Sequence, residues 1–158
     1  MKPIFAPWRM EFILGPREKG CVFCNRVKRK SDRKDLILHR GKSCFVILNK
    51  YPYNPGHLMV VPNRHVSSLT ELNAKEHEEI FSLLARAEKA LSKSMRPQGF
   101  NMGMNLGKAA GAGIDDHIHF HVIPRWFADT NFWPVIAETK SMPQHLLDTY
   151  DLLKKFWK

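Results

Sequence analysis

The chain has 158 residues, 44% of them hydrophobic and 25% charged, which suits one domain with a buried core and excludes a disordered chain. No apolar run approaches the roughly 18–20 residues that cross a bilayer. The opening stretch, broken by Pro7, Arg9 and Glu11, lacks the cleavage site of a signal peptide, so a cytoplasmic protein is expected. Twenty-five basic against 15 acidic residues, net +10, predict an anionic ligand or partner: nucleic acid, a membrane surface or a polyphosphate metabolite.

The stretch "FAPWRMEFI" predicts a short N-terminal helix or arm, with Trp8, Phe12 and Ile13 packing on the body. "CVFC" follows, placing Cys21 and Cys24 in a loop or short helix at the spacing of a metal knuckle or redox pair. Three cysteines oppose a disulfide framework, and Cys44 reads as a small buried hydrophobe. The basic run at 26–34 reads as a solvated loop, or else as a device that steers a polyphosphate inward. Stretches 36–40, 44–49 and 57–63 predict an antiparallel meander, its second connection stiffened by Pro52 and Pro55.

A long helix is expected next. Asn73 and Glu76 make a capping pair, Ile80, Leu84, Ala87, Leu91 and Met95 form one apolar stripe, and Arg96-Pro97 ends it. Residues 99–107 predict a fourth strand and 117–124 a fifth. A final helix from about Met142 carries Leu146, Leu147, Tyr150 and Leu153 on one side. Strands, helix, strands, helix is the order of an α+β fold with an antiparallel sheet. His39, His77 and His145 stand without company and read as surface residues.

The fifth strand, "HIHFHVIP", carries the chemistry. Residues two apart on a strand share a face, so His117, His119 and His121 point one way at steps of about 6.5–7 Å. Ile118, Phe120 and Val122 point the other way, toward the long helix. Three buried imidazoles without partners would cost about 1–3 kcal/mol for each unpaired group, so the rings are expected to face a ligand. The small-residue loop just upstream, "NLGKAAGAGIDD", lets backbone N–H groups approach a phosphate.

"HIHFHVIPR" together with "FVILNKYPYNPGHLMVVPNRHV" resembles the histidine-triad (HIT) family, over about residues 21–126. "PRWFADTNFWPVIAETKSMPQ" is similar to the tail of the subgroup that cleaves diadenosine polyphosphates. The resemblance implies a single HIT-like domain over 1–158. A zinc-knuckle segment spans about 15–30, a core of about five antiparallel strands and one long helix about 35–126, and a C-terminal tail and helix about 127–158. It implies that His119 attacks the α-phosphorus of a dinucleoside polyphosphate, diadenosine tetraphosphate above all, forming a nucleotidyl-histidine that phosphate or water resolves.

By the same resemblance His121 and His57 contact the phosphates, and Asn105 orients the α-phosphate or bridging oxygen. Asn49 hydrogen-bonds the ribose, and Gly111, Ala112 and Gly113 form the nucleotide loop. Trp126 and Trp133 are placed to stack on a base or fill a dimer interface. Gly113 is a departure: hydrolases of the human tumour-suppressor type carry Gln near this point and the mycobacterial phosphorylase type carries Ser, which leaves the second-step acceptor open. Cys21 and Cys24 need two more ligands for a tetrahedral zinc site, and His65 and His117 are the evident partners, as in zinc-bearing relatives. Such a zinc is structural and pins the N-terminal segment beside the catalytic strand. A homodimer built around the long helix is implied, with small nucleotides as partners, no membrane and no nucleic acid. Alternatives are a nucleoside phosphoramidase of the same family, or a zinc-containing module that binds nucleotide or nucleic acid without turnover.

Overall fold

The computed structural model describes residues 18–129 and 142–157. The expected N-terminal arm and Trp133 lie outside these residues. Helix α1 (Val22–Lys28) and the single turn α2 (Asp32–Asp35) precede strands β1 (Ile37–Arg40), β2 (Cys44–Leu48) and β3 (Leu58–Pro62). Helix α3 (Ala74–Met95), strands β4 (Gly99–Gly103) and β5 (Phe120–Arg125) and helix α4 (Leu146–Phe156) complete the order. The five strands form one antiparallel sheet in the order β1-β2-β3-β5-β4. The α+β architecture expected from the pattern is therefore the one observed.

Several boundaries differ from the sequence reading. The fourth strand stops at Gly103, leaving Asn105 in a loop, and the fifth begins at Phe120, so His117 and His119 precede its ladder. There the backbone is held by one bond, Ile118 N–H donating to the Val66 carbonyl at 2.7 Å. The helical stripe also shifts: Leu83 is buried where Leu84 was expected, alongside Ile80, Ala87 and Leu91. A 22-residue helix at 3.6 residues per turn rotates its contact line, which widens a strict i, i+4 stripe to include both flanks. The last helix starts at Leu146 rather than Met142, because the exposed His145 caps it by accepting the Leu147 N–H on Nδ1 at 3.3 Å.

Register separates the two faces of the sheet. Phe45, Ile47, Met59, Val61 and His121 share one face; Val46, Leu48, Leu58, Val60, Phe120 and Val122 share the other. Helix α3 covers the second face, and α1 covers the first through Phe23, whose ring lies edge-on to Phe45 at 6.3 Å. The edge strand β1 is protected by α4: Tyr150 Oη and Lys154 Nζ donate to the Ile37 and Leu38 carbonyls at 3.0 and 2.7 Å.

The basic run is largely helical rather than a loop, and most of it faces solvent, with Lys28, Arg29, Lys30, Arg33 and Lys34 exposed. Arg26 and Arg29 converge on the buried Asp35 at 2.6 and 3.3 Å, Arg33 pairs with Asp151 at 2.8 Å, and Arg40 pairs with Asp32 at 2.8 Å. These guanidinium groups tie α1 and α2 to each other and to the body.

The entry to α3 is the strongest cap. Asn73 accepts the Glu76 N–H at 3.0 Å, Glu76 accepts the Asn73 N–H at 2.9 Å, and both Glu76 oxygens take the Arg64 guanidinium at 2.7 Å. The Arg64 hydrogen bonds are the main cause holding the buried Glu76 carboxyl below its ordinary range. A carboxyl depressed on folding stabilises above its unfolded pKa of about 4.3, and that stability is lost as pH falls through the lower folded value. Glu76→Gln is therefore expected to lower stability by about 1–2 kcal/mol at pH 7, with a smaller deficit at pH 3. Urea melts at the two pH values check this.

Candidate active site and metal-ligand cluster

The loop "YPYNPGH" builds the first part of the site. Gly56 has φ +78°, and a Cβ there would meet Met95 Sδ at 2.7 Å and Leu91 Cδ2 at 2.9 Å, so both backbone conformation and packing demand glycine. The buried Asn54 anchors the loop to β5 by donating to the Pro124 carbonyl at 2.9 Å and to Asp129 at 2.8 Å. The turn delivers His57, 0% exposed, onto the face that carries His121.

Backbone donors and acceptors assign the tautomers. The Tyr53 N–H donates to His57 Nδ1 at 3.1 Å, so the neutral His57 ring carries its proton on Nε2. That Nε2–H donates to His121 Nδ1 at 2.8 Å, which places the His121 proton on Nε2. His121 Nε2 is buried and has no hydrogen-bond partner among the described residues. His119 Nδ1–H donates to the His117 carbonyl at 2.9 Å, which leaves a lone pair on Nε2. Side by side, the His119 and His121 rings lie 4.9 Å apart, one presenting a lone pair and the other an N–H.

Burial keeps all three rings neutral. It pushes His57 down to about 3 and His121 down to about 4, with neighbouring imidazoles adding to the effect, and it lowers His119 as well. The site is thus a buried arrangement of neutral imidazoles with oriented protons.

The second constellation abuts the first. Cys21 and Cys24 flank the start of α1, His65 follows β3 and His117 precedes β5; their ligand atoms all lie within 4.8 Å of one another. Cys21 Sγ and Cys24 Sγ stand 3.3 and 3.6 Å from His117 Nδ1, and Cys24 Sγ is 3.3 Å from His65 Nδ1. A tetrahedral ion with metal–sulfur and metal–nitrogen bonds of zinc length separates such donors by about 3.6 Å, so the four fit a metal of that kind. His117 Nε2–H donates to the Pro62 carbonyl at 2.9 Å, which leaves Nδ1 as the ligating nitrogen. Asp116 sits 3.7 Å behind His65 Nε2. Burial pushes the Cys21 thiol up, so it stays protonated unless a cation is bound.

Other expected site residues are less closely joined. Asn49 is engaged locally: Oδ1 accepts the Tyr51 N–H at 2.9 Å and Nδ2 lies 3.3 Å from His57 Nδ1, which backs the relay. Asn105 is half-buried in the loop after β4. The amides of Ala110, Gly111 and Ala112 turn back onto the Gly107 and Lys108 carbonyls, so this loop closes on itself instead of offering those N–H groups. A Cβ at Gly111 or Gly113 would meet nothing within 4 Å. Trp126 follows the end of β5, five residues beyond His121, where its N–H donates to Asp129 at 3.2 Å.

Two residues were not anticipated. Tyr53 supplies the N–H that orders the relay and lays its half-exposed ring 4.7 Å from His57. Phe23 lies against His117 and His119 at 5.4 and 5.1 Å. Phe23 acts on neighbours distant in the chain and Tyr53 acts through its backbone N–H, so no side-chain pattern marks either. His39, expected at the surface, is half-buried against Trp157 at 5.9 Å, which lowers its pKa.

Comparison with known proteins agrees with this geometry. The HIT domain family matches residues 30–128. The chain is 45% identical over 131 residues to "AP-4-A phosphorylase" of Mycobacterium tuberculosis, covering 83% of this chain and 67% of that protein. It is 31% identical over 93 residues to the asymmetrical bis(5'-nucleosyl)-tetraphosphatase of Schizosaccharomyces pombe, covering 59% of this chain and 50% of that protein. A zinc-bound histidine triad family protein from Mycobacterium smegmatis superposes with a TM-score of 0.70 at 26% identity, covering 87% of this chain and 93% of the other. Among the described residues, no helix is long and apolar enough to cross a membrane.

Proposed function

The chain belongs to the HIT domain family, and on that premise we propose that it is a nucleotidyl hydrolase or transferase cleaving dinucleoside polyphosphates, diadenosine tetraphosphate foremost, at the α-phosphate. The observation that carries the reading is the tautomer of His119: its Nδ1–H is committed to the His117 carbonyl, so Nε2 is the nucleophilic atom. Nε2 donates its lone pair to the α-phosphorus, a P–N bond forms, and the bridging P–O bond breaks with its electron pair leaving on the polyphosphate oxygen. His121 Nε2–H, buried beside it, is the donor for that oxygen or for the phosphoryl oxygens. His57 keeps that proton on Nε2 by occupying His121 Nδ1. In the second step phosphate or water attacks phosphorus, the P–N bond breaks, and the lone pair returns to His119.

Cys21, Cys24, His65 and His117 would hold a zinc ion. Bound with four protein ligands, zinc supplies structure and leaves no position for water. A homodimer is part of the same proposal: Phe81, 70% exposed on α3, and Met102, 43% exposed on the edge strand β4, are among the apolar side chains available to a second copy.

Incubation with diadenosine tetraphosphate, with and without inorganic phosphate, tests the reading. ADP plus ATP formed only with phosphate establishes phosphorolysis; AMP plus ATP, or ADP alone, without phosphate establishes hydrolysis. No product in either mixture overturns the assignment. The pH dependence follows from burial. His119 attacks only when neutral, and its pKa lies below the ordinary 6.5, so the acid limb of kcat/KM is expected below pH 6.5. A limb at or above 6.5 in the pH–rate profile contradicts a buried nucleophile.

A further inference from the structure

We propose that Phe23 is a positioning residue for His119, and that the flanking cysteine ligands hold Phe23 in place. The inference rests on the reading of His119 as nucleophile.

One hydrogen bond, Nδ1–H to the His117 carbonyl, ties the His119 ring to the backbone. A single bond at one corner leaves the imidazole free to rock about it, and attack on phosphorus requires Nε2 aimed along one line. Packing must supply the second constraint. Phe23 is 1% exposed, and its ring centroid lies 5.1 Å from His119 at an interplanar angle of 52°. It also lies 5.4 Å from His117 at 75° and 6.3 Å from Phe45 at 66°. All three separations fall within the range of favourable aromatic pairs. The Phe23 ring therefore bridges a metal-ligand histidine and the nucleophile, with Phe45 of the sheet as its fixed neighbour.

What holds Phe23 is the chain on either side of it. It sits between Cys21 and Cys24 in a helix of seven residues, too short to persist without tertiary anchors. The anchors are the two sulfurs, 3.3–3.6 Å from the His65 and His117 nitrogens, and Arg26 on the buried Asp35. The cysteine pair thus reaches the reacting atom by two routes through neighbouring groups. One is the His117 residue itself, whose carbonyl accepts from His119. The other is the Phe23 ring.

The test compares zinc-loaded wild type with Phe23→Leu and Phe23→Ala. Misplacement of a reacting group by about 1 Å costs about 10²-fold in rate. Phe23→Ala is expected to lower kcat by about that factor, with zinc content and KM unchanged, and Phe23→Leu to recover most of the loss by refilling the volume. Diethyl pyrocarbonate labelling of His119, read by peptide mass spectrometry, is expected to change rate in Phe23→Ala, since the ring is no longer held. A risen KM with unchanged kcat overturns the proposal and makes Phe23 a substrate contact. An unchanged kcat with unchanged labelling overturns it outright. Should Phe23→Ala fail to fold, Phe23→Val, which leaves a smaller void, takes its place: wild-type kcat and labelling in that protein refute the idea. Labelling needs no substrate, so a wild type inactive on dinucleotides defeats the functional reading while this arm still judges Phe23.

Discussion

His119→Asn is expected to reduce turnover by about four orders of magnitude or more while nucleotide affinity stays within a few-fold. The substitution is conservative in shape and in its one hydrogen bond. An Asn amide N–H can still donate to the His117 carbonyl, as His119 Nδ1–H does at 2.9 Å. The His57–His121 relay, which contacts other backbone groups, is left alone. What disappears is the lone pair of Nε2, for which a neutral carboxamide has no substitute, and removal of a nucleophile typically costs about 10⁴–10⁶ in kcat. Steady-state kinetics with diadenosine tetraphosphate, paired with calorimetric titration of a non-cleavable analogue, separates the two effects. Retained turnover removes the covalent mechanism; lost binding with lost turnover moves His119 from chemistry to recognition.

Removing the metal is expected to have the second largest effect. Cys24→Ser, or chelation of wild type, should lower the melting temperature by about 10 °C and abolish stoichiometric zinc. An ion held some thousandfold more tightly than its free concentration contributes about 4 kcal/mol to the folded state, and a domain of this size loses about 2–4 °C for each kcal/mol. Without the ion the four donors keep only thiol–imidazole contacts of 3.3–3.6 Å. Helix α1 is then held chiefly by Arg26 and Arg29 on Asp35 and by Phe23. Since α1 covers the histidine face, turnover should fall with the melting temperature. Metal analysis and calorimetry before and after dialysis against a chelator check both. A melting curve indifferent to chelation identifies the cluster as a hydrogen-bonded thiol–imidazole group.

The functional reading began with periodicity, and periodicity is local. His117, His119 and His121 alternate with Ile118, Phe120 and Val122, and strand geometry alone sends the two sets to opposite faces. The register observed keeps that division for His121 against Phe120 and Val122. The cap at Asn73 and Glu76, the turn of "NPGH" and the spacing of Cys21 and Cys24 were likewise legible as short patterns, whereas His65 and His117, 41 to 96 residues from those cysteines, were legible through likeness to zinc-bearing relatives.

Charge was less legible. Nothing in "RVKRKSDRK" says that Arg26 and Arg29 will find Asp35 while Arg33 finds Asp151, since the last partner is 118 residues away. A run of like charges reads as solvated, and this one largely is; which acids its arginines meet is decided by folding.

The protonation pattern belongs to the folded structure. Whether an imidazole presents a lone pair or an N–H depends on which backbone group faces its other nitrogen. Here the Tyr53 N–H, the Pro62 carbonyl and the His117 carbonyl make that choice for three rings. The sequence by itself determined which residues gather at the site, because side-chain alternation and turn chemistry act within a few residues. Only the folded structure decided which nitrogen presents a lone pair and which an N–H, because that depends on the backbone conformation around each ring and on the Pro62–His117 and His57–His121 bonds, whose partners are 55 and 64 residues apart.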